Sequence, residues 1–137
     1  MSEQNTSEAP GESLDTAVVV SRSVSQPIKD VWKALMTAEG SAALLGPGAV
    51  LGQKGHTWRS EDGRTGVIRS FHPLEQIRFT FRQDEDAPAG MVQLQLTPED
   101  EDTTTITLEH SKLNSEPEWI RQRWEAALDK IVADCLS

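Results

Sequence analysis

Two hydrophobic periods divide the second half of this chain. From Gln76 to His110 apolar and polar residues alternate. Ile77, Phe79 and Phe81 stand opposite Arg78, Thr80 and Arg82; Val92, Leu94 and Leu96 stand opposite Gln93 and Gln95. Ile106, Leu108 and His110 stand opposite Thr105, Thr107 and Glu109. A period of two sends successive side chains to opposite faces, so these runs predict antiparallel strands with one dry and one wet side. From Ser115 to Leu136 the period changes. Ile120, Trp124, Ala127, Leu128, Ile131, Val132 and Cys135 recur at three- and four-residue steps, the stripe of an amphipathic helix. Ser115 and Glu118 have the spacing of a capping box, Pro117 suits the first turn, and Arg121 can pair with Glu125 on the wet side. Such a helix spans roughly 30 Å, the length of a nine-residue strand. The dry sheet face and the helix stripe need one another.

The same reading extends upstream. Residues 1–13 hold Ser, Glu, Gln, Pro and Gly with little to bury, and predict a disordered tail before a single domain over 14–137. Asp15 to Val24 predicts a strand whose Val18, Val20 and Val24 share a face with Arg22, leaving its inward side open. Pro27 opens a helix with a stripe of Ile28, Val31, Trp32, Leu35 and Met36. A second short helix through Ser41–Leu45 ends at Gly46-Pro47-Gly48. Further strands are predicted at Ala49–Leu51, His56–Ser60, Gly66–His72, Gln76–Arg82, Met91–Thr97 and Thr103–His110. Turns are expected at Asp62-Gly63 and Pro73, and acidic loops that serve solubility at Asp84–Asp86 and Glu99–Asp102. The fold class is therefore α+β: a curved antiparallel sheet of about six to seven strands wrapped around a long carboxy-terminal helix, with two short helices after the first strand.

Charge and composition narrow the partners. Twenty-two acidic against 13 basic residues give a formal charge of −9, a field that repels nucleic-acid backbones and anionic membrane surfaces. No apolar run approaches the ~20 residues of a membrane span, and the amino terminus lacks a signal-peptide pattern, so a cytoplasmic location is expected. The single cysteine, Cys135, has no internal partner and lies on the apolar stripe, where packing is its expected role. No metal-ligand spacing, Walker loop or GxGxxG occurs, and no cofactor or metal is expected.

In this order the motifs resemble the START/birch-allergen-like superfamily called SRPBCC, and within it the heat-shock-protein-90 ATPase activator homologues. The resemblance rests on Val24-x-x-Pro27-x-x-x-Val31-Trp32-x-x-Leu35, Leu45-Gly46-Pro47, Asp62-Gly63-x-x-Gly66-x-Ile68, Pro73-x-x-x-Ile77-Arg78-Phe79-Thr80-Phe81, Thr107-Leu108-x-His110 and Trp124-x-x-x-Leu128, across residues 15–136. It implies a helix-grip fold with an apolar cavity between sheet and helix, in a superfamily that includes lipid and sterol carriers, polyketide cyclases and stress-linked proteins. Two departures trim bulk near the implied cavity mouth: Leu44 stands where the family usually has Trp, and Thr80-Phe81 where Thr-Trp is common.

The candidate ligand-binding residues are Trp58, Ile68, His72, Phe79, Phe81, Leu94, His110, Trp124, Ala127 and Leu128. His110 is either a core histidine with a single hydrogen bond or a polar anchor inside an apolar pocket. His72 joins it, with Ile68 and Ser70, if the Pro73 loop pairs residues whose numbers sum to an odd value. Trp58, Phe79, Phe81 and Trp124 are either plain core or cavity wall. Ala126 and Ala127, with Gly63 and Gly66, remove bulk and favour a cavity. Arg22 and Arg69 are either edge residues or part of the lining. For acid–base chemistry only His110, His72, Glu75 and Arg69 come into question, no nucleophile–base pair can be read from spacing, and no catalytic residue is assigned. The leading expectation is a domain that binds a small hydrophobic or aromatic molecule. A polyketide cyclase-like enzyme and a co-chaperone-like protein-interaction domain follow it.

Overall fold

A computed structural model describes residues 17–84, 86–111 and 117–135; the predicted tail, the Ser115 cap and the side chain of Cys135 lie outside the described residues. Among the described residues nine elements follow one another: β1 (Val18–Val24), α1 (Ile28–Leu35), α2 (Ala38–Leu45), β2 (Thr57–Arg59), β3 (Thr65–His72), β4 (Gln76–Phe81), β5 (Gly90–Asp100), β6 (Thr103–Ser111) and α3 (Pro117–Cys135). The strands form one antiparallel sheet in the order β1-β6-β5-β4-β3-β2. The chain is thus an α+β helix-grip fold: a curved sheet around the long α3, with α1 and α2 after the first strand.

Local chemistry sets the short helices. Pro27 supplies its fixed φ of −64° immediately before α1. The Thr37 hydroxyl caps α2 by accepting from the Gly40 amide at 3.0 Å. Gly46 ends that helix at φ +124°, a conformation other residues avoid. Beyond it the chain departs from expectation, because Ala49–Leu51 is not a strand. The Leu51 amide donates to the buried Ser41 hydroxyl at 3.1 Å, which in turn donates to the Leu35 carbonyl. A side chain satisfies the donor that a strand neighbour would otherwise need, and Ala49 and Leu51 are buried in an irregular segment. At the other predicted acidic loop β5 continues through Asp100, so the β5–β6 hairpin is tighter than the sequence suggests.

The core lies between the sheet's dry face and α3. Val18, Val20 and Val24 of β1, the three alternating sets of β4, β5 and β6, and Ile120, Trp124, Leu128 and Ile131 of α3 are all buried. Each such aliphatic or aromatic side chain contributes about 1.5–3 kcal/mol of transfer free energy. The ambiguity at Arg22 is resolved by reach. Its backbone shares the valine face, but its guanidinium extends to the α3 flank and donates to Asp129 at 2.9 Å. Arg121 donates to the Val19 carbonyl at 3.1 Å, a second strap between α3 and β1.

A bulge in β3 decides which residues of that strand face inward. At the Pro73 turn Phe71 pairs with Ile77 and His72 with Gln76, an even sum, so Phe71 takes the dry face and His72 the wet one. One residue is then inserted between Ser70 and Ile68, and Ile68 pairs with Phe79, an odd sum. The slip returns Ile68 to the core and leaves Arg69 and His72 exposed. The placement of His72 in a cavity is thereby corrected. A single loop parity cannot describe a strand that changes register midway.

Candidate functional site

Beneath α3 the expected cavity is filled. Trp58, Phe79, Phe81, His110 and Trp124 form one aromatic cluster, all buried. Trp58 stands edge-on to Phe79 at 6.0 Å between ring centroids and tilted to Phe81 at 5.8 Å. Phe81 meets Trp124 at 5.4 Å and His110 at 5.7 Å, both edge-on. Ile68, Leu94 and Leu128 are also buried at 0 to 1% exposure and complete the packing around them. Nine of the ten residues singled out from the sequence therefore lie in the core, with His72 outside it. Most of them pack against one another, while Phe81 and His110 also edge a small recess between sheet and helix.

Gly66 shows how tight that interior is. A Cβ there would strike the Thr80 carbonyl and lie 2.5 Å from Trp58 Nε1. The indole of Trp58 passes over this glycine to donate to the Thr80 carbonyl at 3.2 Å. The missing side chain makes room for a neighbour, not for a ligand. Gly63 serves the turn instead, at φ +98°.

His110 is held by a partner that fixes its chemistry. Trp124 Nε1, which can only donate, gives its proton to His110 Nδ1 at 2.9 Å. The imidazole is therefore neutral with its own proton on Nε2. Burial pushes its pKa down to about 4, because no nearby carboxylate offsets the lost hydration among the described residues. A histidine in this state is a poor general base at neutral pH. Glu75, Arg69 and His72, the other conceivable acid–base groups, are exposed.

Open space lies on the other flank of α3. A groove of about 720 Å³ runs between α2 and α3, floored by Ala42, Ala43, Leu44, Ala126 and Ala127 and closed at one end by Trp119 and Arg123. Four alanines and the Gly46-Pro47 bend keep the two helices from filling it. The small mid-helix residues do leave space, but between two helices and not between helix and sheet. Leu44, where the family usually carries a Trp, is one of the walls. At the rim Arg64 is bound to Asp62 through Nε at 3.0 Å, and Lys130 pairs with Asp134 at 3.0 Å. Hydrogen bonding from Arg64 and then from Ser60 outweighs burial and holds the Asp62 carboxyl well below the usual range. A second recess of about 70 Å³ beside Phe81, Pro88, His110 and Ile120 shares Trp119 and Arg123 with the groove.

Arg123 is the residue the sequence reading missed. Its guanidinium lies 5.0 Å from the centre of Phe81, 5.7 Å from Trp119 and 5.9 Å from Trp124. Its Nε and Nη2 are buried without a hydrogen-bond partner. The available signal was Trp119-x-x-x-Arg123, one helical turn apart, followed by Ala126-Ala127 at the next turn. This stripe runs along α3 beside the apolar one.

A helix-grip domain with a packed interior and a lateral groove is the class of protein that the fold and the site define. The model of the family described as Activator of Hsp90 ATPase homolog 1-like protein matches residues 25–134, and the chain belongs to that family, within the SRPBCC superfamily. Among solved structures, CalU16 from Micromonospora echinospora is similar at a TM-score of 0.73 and 22% identity, covering 87% of this chain and 75% of that one. DynU16, a protein of the dynemicin biosynthetic locus, gives 0.73 and 22% over 85% of this chain, which spans only 46% of that one. The Aha1 dimer from Colwellia psychrerythraea gives 0.70 and 14% over 88% and 96%. At these identities the likeness is one of fold. No curated protein sequence matches the chain.

Proposed function

We propose that this domain binds a small hydrophobic or aromatic molecule, and that the α2–α3 groove receives it. The observation that carries this reading is the groove itself. Its volume falls within the few hundred to a thousand cubic ångströms typical of small-molecule sites, and its floor is mainly alanine and leucine. Trp119, 45% exposed at one end, offers a flat apolar face to a planar ligand. A cyclase-like activity lacks support, since His110 has its δ nitrogen occupied by an indole N–H and is neutral.

Tryptophan fluorescence tests the proposal. Titration with flavonoids, fatty acids and aromatic polyketides is expected to change the emission of the wild-type protein with at least one class. The change should disappear in Trp119→Phe while that variant still binds by calorimetry. Absence of heat and of fluorescence change with all three classes would overturn the reading.

A further inference from the structure

The groove holds a cation with no ionic or hydrogen-bonding partner among the described residues. Among the charged side chains that line it, Arg64 is committed to Asp62 and Lys130 to Asp134. Arg123 has neither an ion pair nor a hydrogen bond among the described residues. Two of its three nitrogens are buried, and three aromatic rings hold its position. Contact with ring faces offsets part of the lost hydration of a guanidinium but satisfies none of its N–H donors. The side chain is also fixed in place beforehand, so an incoming acceptor need not order it.

We infer that the molecule bound in the groove is a monoanion: an apolar or aromatic body lying over Ala42, Ala43, Ala126 and Ala127, with a carboxylate or phenolate head on the Arg123 guanidinium. The inference rests on the groove being a small-molecule site and adds the charge of its occupant. The body matches the alanine floor and the face of Trp119. The head matches the positive charge of Arg123, which lines the groove, and a charge-assisted hydrogen bond to a carboxylate is stronger than one to a neutral acceptor. A single negative charge fits better than a phosphate dianion, because one guanidinium must offset the repulsion of a chain with formal charge −9, and Glu39 and Asp134 stand on the same rim.

Paired probes decide it. Affinities of 2-naphthoate and dodecanoate are compared with those of 2-naphthamide and dodecanamide by isothermal titration calorimetry, in the wild-type chain and in Arg123→Met and Arg123→Lys. In the wild type at least one acid should bind about tenfold or more tightly than its amide, the scale of a charge-assisted hydrogen bond in a sheltered site. Arg123→Met should erase that preference, read as the ratio of acid to amide affinity within the same variant, since the methionine keeps an apolar stem among the rings. Arg123→Lys should retain part of it. Equal binding of acid and amide to the wild type would overturn the inference while leaving a neutral-ligand groove intact. Failure of all four probes to bind would overturn the inference, and the groove reading falls with it when flavonoids and polyketides also give no heat. Should Arg123→Met not fold, the wild-type acid–amide ratio alone decides between a charged and a neutral occupant.

Discussion

The two flanks of α3 carry similar raw materials and put them to opposite uses. Each has a tryptophan and a nitrogen-bearing polar side chain. On the inner flank the Trp124 indole is matched to His110 and the rings interlock at 5.4 to 6.0 Å. On the outer flank Trp119 is half exposed, the Arg123 donors are unmatched, and Ala126 faces space. Opposite the inner flank stands a sheet with large side chains at every second position. Opposite the outer flank stands α2, whose facing residues are Ala42, Ala43 and Leu44. A small residue leaves a gap only where its partner surface is also small. Polar groups follow the same rule, and are paired where the protein itself supplies the counterpart.

If the inner flank is structural, damage there should cost stability. Trp124→Ala is expected to lose about 3–5 kcal/mol, read from the midpoint of urea unfolding, because it empties the centre of the cluster and orphans His110. A loss below about 1 kcal/mol would show that the cluster is loosely packed and would reopen the sheet–helix cavity.

The pH dependence comes next in size. The folded His110 titrates near 4, whereas an unfolded histidine titrates near 6.5, so between these values the unfolded chain takes up a proton that the native state refuses. Stability should therefore be unaffected by His110 above about pH 6.5 and fall as the pH drops toward 4, by a total on the order of 2–3 kcal/mol. Unfolding free energies measured between pH 7 and 4.5 check this, with His110→Leu flattening the upper part of the slope. At pH 7 that same variant should cost about 1–3 kcal/mol, since the Trp124 N–H is left buried without an acceptor. An equally stable His110→Leu with unchanged pH dependence would remove the histidine from its structural role.

The outer flank should respond in the reverse sense. Ala126→Leu is expected to change stability by no more than about 0.5 kcal/mol, as an exposed helical position does, while blocking the groove and weakening ligand binding about tenfold or more. Thermal melting and calorimetry on the same sample separate the two effects. The smallest change belongs to Arg22→Ala, whose pair with Asp129 is largely solvated and should contribute less than about 1 kcal/mol.

How much of this could be read in advance depended on the range of each interaction. The alternation of Ile77-Phe79-Phe81 and of Val92-Leu94-Leu96 stated which face was dry, and the Trp124 stripe stated what covered it. His110 was legible as an inward residue, though its occupation by Trp124 was not. The sequence also offered His72 as a cavity residue and Ala49–Leu51 as a strand. Each failed on one nonlocal event: the inserted Arg69 in β3, and the Ser41 hydroxyl that captured the Leu51 amide. The alanines were correctly seen as a source of space and assigned to the wrong side of the helix.

What the chain alone determined is its class and layer order, because the periods of two and 3.6 follow from local backbone geometry. Which surface of α3 closes and which stays open was settled only by assembly. That outcome depends on the volume of side chains more than 70 positions away in sequence, Ala42 and Ala43 against Ala126 and Ala127, and on whether a donor such as Arg123 meets an acceptor once the layers come together.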